Sequence, residues 1–231
     1  MPSVGQPRRS RQPILNMKVG SIKLDRAGME EALRELRSKN KERILIGFEE
    51  VPHARGQRQR TISMELSGPT VGDILDKLIV ADPRYTYEVT AGSVINVLPR
   101  MAKTDPTNLL NIRVSKFALH GKFLLQNVIS RIGDYAPELG SHLAKKALEH
   151  AARTKIYPGS PGSILTGGME PQIDLEMQNV TVREILNSIA LYSVKLSQEQ
   201  PDGFPIGWKY EFIIDPEAQT GLGGYPSWNE F

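Results

Sequence analysis

The feature that most constrains this chain is that it repeats itself. Ile14–Val19 (ILNMKV) parallels Leu109–Val114 (LLNIRV), with Leu15, Asn16 and Val19 identical to Leu110, Asn111 and Val114. Farther on, Ile62–Leu66 (ISMEL) parallels Ile173–Met177 (IDLEM), and Thr70–Leu75 (TVGDIL) parallels Thr181–Leu186 (TVREIL). A third echo sets Tyr85–Val89 (YTYEV) against Trp208–Phe212 (WKYEF). The matches keep their order in both halves, which points to two copies of one small unit. The halves meet at a polar connector over 102–108. That gives a free N-terminal segment over 1–13, a first repeat over 14–101 and a second over 109–216, with a tail over 217–231.

Periodicity supplies the elements of one unit. Ser21–Asp25 alternates polar and apolar and reads as a half-buried strand. Ala27–Lys39 reads as a helix with Met29, Leu33 and Leu36 on one face, and Arg43–Phe48 is an apolar run of strand length. Val51–Gln59 has loop composition. Thr61–Leu66 alternates again, so Ile62, Met64 and Leu66 share a face. Gly68-Pro69 breaks the chain. Thr70 then reads as an N-cap with Asp73 three residues on, ahead of a Val71, Ile74, Leu75, Leu78 stripe. Asp82-Pro83 ends that helix. Tyr85–Val89 and Val94–Leu98 form a hairpin around Ala91-Gly92-Ser93.

The expected fold is therefore α+β: two repeats of a small βαββαβ(β) unit, with amphipathic helices packed on short mixed sheets. In the second copy Ile112–Leu119 is the first strand and Phe123–Ile132 opens the first helix. An insertion over about 133–168 follows, comprising a helix over Glu138–Arg153 and a Pro/Gly-rich loop over Tyr157–Gly168. Thr181 with Glu184 makes a complete capping box, and Trp208–Ile214 is a closing strand. The Gly/Pro-containing tail has turn composition and is expected to be loosely ordered.

The segment Ile62–Pro99 (ISMELSGPTVGDILDKLIVADPRYTYEVTAGSVINVLP) resembles the short N-terminal domain shared by secretins and TonB-dependent transducers. The likeness lies in an alternating strand, a Gly turn, a "TV-x-[DE]-IL" amphipathic helix and an aromatic-containing hairpin. It covers roughly residues 17–99, recurs over 172–189 and extends to 109–132 and 208–214. It implies a periplasmic module of the bacterial envelope that docks onto other proteins and carries no catalytic residues. There is no pore-forming secretin domain, plug or barrel here, so the chain resembles the family's adaptor part standing alone.

The remaining chemistry is sparse. With 29 basic and 26 acidic residues the net charge is +3, too small by itself to imply nucleic acid. There are no cysteines, which excludes disulfides and thiol chemistry. No stretch approaches the roughly 18 apolar residues of a membrane span. The N-terminus has Arg8, Arg9 and Arg11 without an apolar run behind them, so it does not read as a leader. The protein is then periplasmic with a leader upstream of this chain, or cytoplasmic if Met1 is the true start.

Of the four histidines, His53, His120, His142 and His150, the last two lie roughly 80° apart around a helix, and all four read as ordinary rather than metal-binding. Gly159–Gly168 lacks the Gly-Lys-Ser/Thr ending of a phosphate loop. Glu30-Glu31 and Glu49-Glu50 are adjacent pairs whose side chains diverge. No cofactor fingerprint or nucleophile motif is present, and the chain reads as non-enzymatic. The partner-binding candidates are Arg55, Arg58 and Arg60 on a basic loop, with Tyr85 and Tyr87 on the hairpin, which is also the expected docking edge. The three arginines, with those of the N-terminus, carry the rival reading, a cytosolic nucleic-acid binder; Tyr85 and Tyr87 could add a stacking surface to it, their default role being cross-strand packing. A further rival is an enzyme with an unrecognised site.

Overall fold

The computed structural model describes residues 13–57, 59–90, 93–154, 170–199, 205–214 and 224–231. In the first half, strand β1 (Ile22–Ala27) leads to helix α1 (Met29–Ser38), then β2 (Leu45–Glu49), the two-residue β3 (His53–Ala54) and β4 (Ile62–Leu66). Helix α2 (Val71–Ala81) and the hairpin β5 (Tyr85–Val89) with β6 (Val94–Pro99) complete it. The second half runs β7 (Arg113–Lys122), α3 (Leu125–Ser130), α4 (Ile132–Tyr135), α5 (Pro137–Thr154), β8 (Gln172–Thr181), α6 (Val182–Glu199), β9 (Trp208–Ile214) and β10 (Gly224–Glu230). The α+β class expected from the sequence is the one observed. Among the described residues no helix is long and apolar enough to cross a membrane.

Local pairing recurs in the two halves. β1 pairs antiparallel with β4, and β7 with β8, each as a two-stranded ribbon. The two matched ILN-type segments each contain a single 3-10 turn, at Pro13–Asn16 and Leu109–Asn111. The same hydrogen bond ties each to the following helix: Val71 N–H donates to Met17 C=O at 2.9 Å, and Val182 N–H to Ile112 C=O at 3.1 Å. Both helices also open on a capping box. Thr70 and Asp73 exchange side-chain-to-backbone bonds, and so do Thr181 and Glu184, each reciprocal pair satisfying two otherwise orphaned amides.

The halves then merge. A single sheet runs in the order β10-β9-β2-β6-β5, with β3 joining β9 beyond the end of β2. Strand β2 is parallel to β6 on one side and to β9 on the other. It therefore serves both hairpins. Ile44, Ile46, Phe48, Ile95 and Val97 turn to one face and pack with α1, α2, β1 and β4. Leu45, Val94, Trp208 and Tyr210 turn to the other and pack with α3, α6 and the β7–β8 ribbon. Two cores thus lie on opposite faces of one sheet.

The seam is built over a glycine. Gly47 is in register with Trp208 on one side and Asn96 on the other. A Cβ there would lie 2.4 Å from Asn96 Oδ1 and 2.5 Å from the Trp208 ring, so only glycine admits this close approach.

Two expectations are corrected. The tail over 217–231, read as turn, contains strand β10 over Gly224–Glu230, paired along its whole length with β9. Gly207 and Phe231 exchange backbone bonds at 3.3 Å, and Phe231 is buried in the first-half core, its ring 5.9 Å from Phe48. Local Gly/Pro composition does not register a bonding partner ten or more residues away. Pro226 sits opposite Phe212, a position whose N–H would face away from β9, so its missing donor removes no ladder bond. The loop over Val51–Gln59 contains β3, again formed by pairing with β9. Boundaries elsewhere shift modestly: β7 extends to Lys122, and the helix expected over Phe123–Ile132 is split into α3 and α4 at Arg131. The Pro/Gly-rich loop of the insertion lies outside the described residues.

Candidate functional site

Strand β2 ends on two carboxylates that alternation sends to opposite faces of the seam, and each meets a cation from the second half. Glu49 faces α6, where Arg183 grips both its oxygens, Nε on Oε1 and Nη2 on Oε2 at 3.0 Å. Asn108 Nδ2 adds a bond to Oε2 at 3.0 Å. The remaining Arg183 nitrogen donates to Asn111 Oδ1 at 2.8 Å. Asn111 in turn donates to Ala102 C=O at 2.7 Å and Asp105 C=O at 2.8 Å. Glu49 and Arg183 are only 1% and 6% exposed, so the bidentate geometry matters: a buried charge is tolerable when its partner and hydrogen bonds are complete. In the sequence match Arg183 stands opposite Gly72 of the first half, where an added Cβ would lie 3.1 Å from Leu15 C=O.

On the other face Lys209 of β9 gathers three carboxylates: Glu30 of α1 at 2.7 Å, Glu50 at 2.9 Å and Glu211 at 3.2 Å. Burial presses the Lys209 ammonium toward neutrality, but Glu30 and Glu50 outweigh it and hold its pKa above the usual lysine range. Burial likewise raises the Glu30 carboxyl, and Lys209 with Arg34 overcomes that and holds it below its ordinary value. His53 lies between Glu50, 3.9 Å from Nδ1, and Glu211, 3.6 Å from Nε2. One atom each from Glu50, His53 and Glu211 fall within 4.8 Å of one another, a spacing a metal ion can use. Lys209 already pairs with both carboxylates there, at 2.9 and 3.2 Å, so the arrangement is better described as an ion-pair cluster than as a ligand set.

Beside the seam lies a cleft of about 630 Å³, lined by Glu49, Glu50, Asp105 and Tyr210 together with His142 and Lys146 of α5. Burial first, then the nearby Glu49 and Asp105 carboxylates, push the Tyr210 phenol above its usual range. It stays a protonated donor at neutral pH. The two glutamates of the lining are committed to Arg183 and Lys209, which tie the halves together.

The residues singled out from the sequence are scattered. Tyr85 is a core residue rather than a surface one: it is 3% exposed, its ring is 5.8 Å from Phe48, and its hydroxyl accepts from Val51 N–H at 3.0 Å. An aromatic alternating on a strand reads the same whichever face is buried, which is why the sequence did not separate the two. Tyr87 is half-buried, its hydroxyl donating to Asp76 at 2.7 Å. Arg55 is exposed in the turn after β3, where its N–H donates to Ile214 C=O at 3.4 Å. Arg60 is exposed; burial raises the nearby Asp82 carboxyl, Arg84 overcomes that and holds it below its ordinary value, and Arg60 adds the smallest part of the lowering. Arg58 lies outside the described residues. His120 sits on the β7–β8 ribbon between Asp174 at 2.7 Å and Glu176 at 3.2 Å. His142 lines the cleft, while the His150 side chain lies outside the described residues.

Sequence reasoning separated Glu49 from Glu50 correctly but missed their partners. The available sign was a lysine between two aromatics in Trp208–Ile214 and an arginine in the second capping turn.

The sheet has two edges. At β10 the outward position of Pro226 withholds a donor, a common way of blunting an edge. At β5, Thr90 N–H bonds to Val94 C=O at 2.9 Å and Arg100 N–H to Arg84 C=O at 3.0 Å. Even-numbered residues of β5 therefore bond to β6, and Val89 turns its N–H and C=O to the outer side. No proline lies on β5, and among the described residues no strand pairs beyond it.

No known family, curated protein or solved structure matches this chain.

Proposed function

We propose that this chain is a non-enzymatic protein-docking module, built from two copies of one unit, that takes up an extended segment of a partner protein at the β5 edge. The observation that carries the reading is the contrast between the two sheet edges: one is blunted by Pro226, the other ends on a proline-free strand whose Val89 main chain points outward. Strand addition to such an edge supplies affinity through main-chain bonds and specificity through neighbouring pockets. The duplication is supported by the matched capping boxes and by the recurring bonds Val71 to Met17 and Val182 to Ile112.

The resemblance of Ile62–Pro99 to secretin and TonB-transducer domains extends the proposal to an envelope setting, with a partner among envelope assembly proteins. The test is affinity purification from cells expressing the native gene, wild type against Val89→Pro, with fractionation of periplasm and cytosol. Proline at 89 removes only an outward donor and leaves the β5–β6 ladder intact. The proposal expects a periplasmic partner that is retained by the wild type and lost with Val89→Pro. Equal retention by both, or steeply salt-dependent nucleic acid in place of protein, would overturn it.

A further inference from the structure

A second cleft, of about 710 Å³, opens between the β5–β6 hairpin and the β8–α6 segment. Its charged lining is already committed: Lys103 is paired with Glu88 and Arg183 with Glu49. Two of its neutral polar groups, on Asn96 and Thr90, are not. Asn96 is 1% exposed, yet neither its amide oxygen nor its amide nitrogen has a hydrogen-bond partner among the described residues. The Thr90 hydroxyl is buried in the same cleft and likewise has no partner among the described residues. These two groups are neighbours by construction. Glu88 is in register with Asn96, and Thr90, two residues on from Glu88, projects to the same face.

A buried amide without partners is costly, because it has given up its bonds to water. A polar group held in that state at the lining of a cleft has unused recognition capacity. The chemistry of the complement follows from the amide itself. Asn96 offers a donor and an acceptor side by side in one plane. A carboxylate would set oxygen against Oδ1, and an ammonium would leave Nδ2 unmet. Another amide satisfies both through two antiparallel N–H···O bonds. Neither amide atom is open to solvent, so pairing requires Asn96 to turn toward the cleft and a slender group, such as the end of a side chain, to reach it.

We infer that this cleft receives the carboxamide of a Gln or Asn side chain carried by the partner segment, paired with Asn96 and reached by Thr90. The inference rests on the docking reading above and deepens it, since Glu88, Val89 and Thr90 of the docking edge also line the cleft. A strand laid along β5 would carry alternate side chains over it.

The test uses two capped tripeptides, acetyl-Ala-Gln-Ala-amide and its Glu counterpart, titrated into the 15N-labelled protein at millimolar concentration. The Asn96 side-chain NH2 signals are identified by their absence from Asn96→Leu. The Gln peptide is expected to shift them and the backbone amides of Glu88 and Thr90 saturably, with the Glu peptide about tenfold weaker, and the backbone shifts are the response followed in the variants. Asn96→Leu, nearly isosteric and without the orphaned amide, is expected to raise the melting temperature while losing the response, and Thr90→Val to weaken it. Equal binding of the two peptides, a response that survives Asn96→Leu, or a lowered melting temperature in that variant with no shift in the wild type would overturn the inference. If the peptides fail while partner capture stays sensitive to Val89→Pro, this cleft assignment falls and the docking reading stands.

Discussion

Replacing Arg183 by methionine isolates the contact that ties the halves together. In the wild type, Glu49 is 1% exposed and bonded through both oxygens to Arg183, with Asn108 as its third partner. Methionine keeps most of the side-chain volume but leaves the carboxylate buried with one neutral donor. Stranding one partner of a buried pair costs about 3–5 kcal/mol, and the lost bond to Asn111 falls within that range. In a chain of 231 residues, each kcal/mol lowers the melting temperature by about 2–4 °C, so the expected drop is about 6–20 °C. Urea unfolding followed by circular dichroism measures the free energy directly.

The paired change Glu49→Leu with Arg183→Met removes both charges and is expected to recover most of the loss, because a well-packed apolar pair commonly matches a buried ion pair. The coupling energy of the cycle should therefore be about 2 kcal/mol or more. A cost below about 1 kcal/mol for Arg183→Met, the range of an exposed pair, would refute the claim that this contact is buried and complete.

Other expectations follow from the same geometry. Gly47→Ala forces a Cβ into Asn96 and Trp208 and is expected to destabilise by about 2–3 kcal/mol, or to prevent folding, as read by thermal melting. Thr70→Ala and Thr181→Ala should each cost about 1 kcal/mol, with similar values because both break a capping box. Acid stability tests the Lys209 cluster. The Glu30 carboxyl is depressed in the folded state, so its contribution is present above its unfolded value of about 4.3 and is lost as pH falls through the folded value. Lys209 is raised, so its contribution persists through neutral pH and fades only above the ordinary lysine range. Lys209→Met should accordingly lower stability at pH 7 and flatten the decline on acidification below about pH 5, seen in melting temperatures across pH.

Legibility in the sequence followed the range of the interactions. The helices α2 and α6 were readable because caps and apolar stripes are local: Thr70 with Asp73, Thr181 with Glu184, and Val71, Ile74, Leu75 and Leu78 all sit within one segment. β9 was placed at its observed bounds, since WKYEFII is a dense strand former. β10 was not, because its strand character comes from β9 and not from GYPSWNE itself. The shared sheet was equally invisible: nothing in Leu45–Glu49 announces that Gly47 will be flanked by Trp208 and Asn96. The same holds for the ion pairs, where Glu49 and Arg183 are 134 residues apart. Tyr85 illustrates the converse case, in which a correctly read strand leaves its buried face ambiguous.

Docking of a partner strand at β5 can be read in cells by position-specific photocrosslinking. A benzophenone amino acid at Glu88, on the β5 edge, is compared with one at Asn229, on the β10 edge, in cells expressing the native gene, with and without Val89→Pro. The expected result is an adduct from position 88 that maps to one extended segment of a single protein, is absent from 229 and disappears with Val89→Pro. Indistinguishable adducts from the two edges, or an adduct from 88 unaffected by proline at 89, would contradict it.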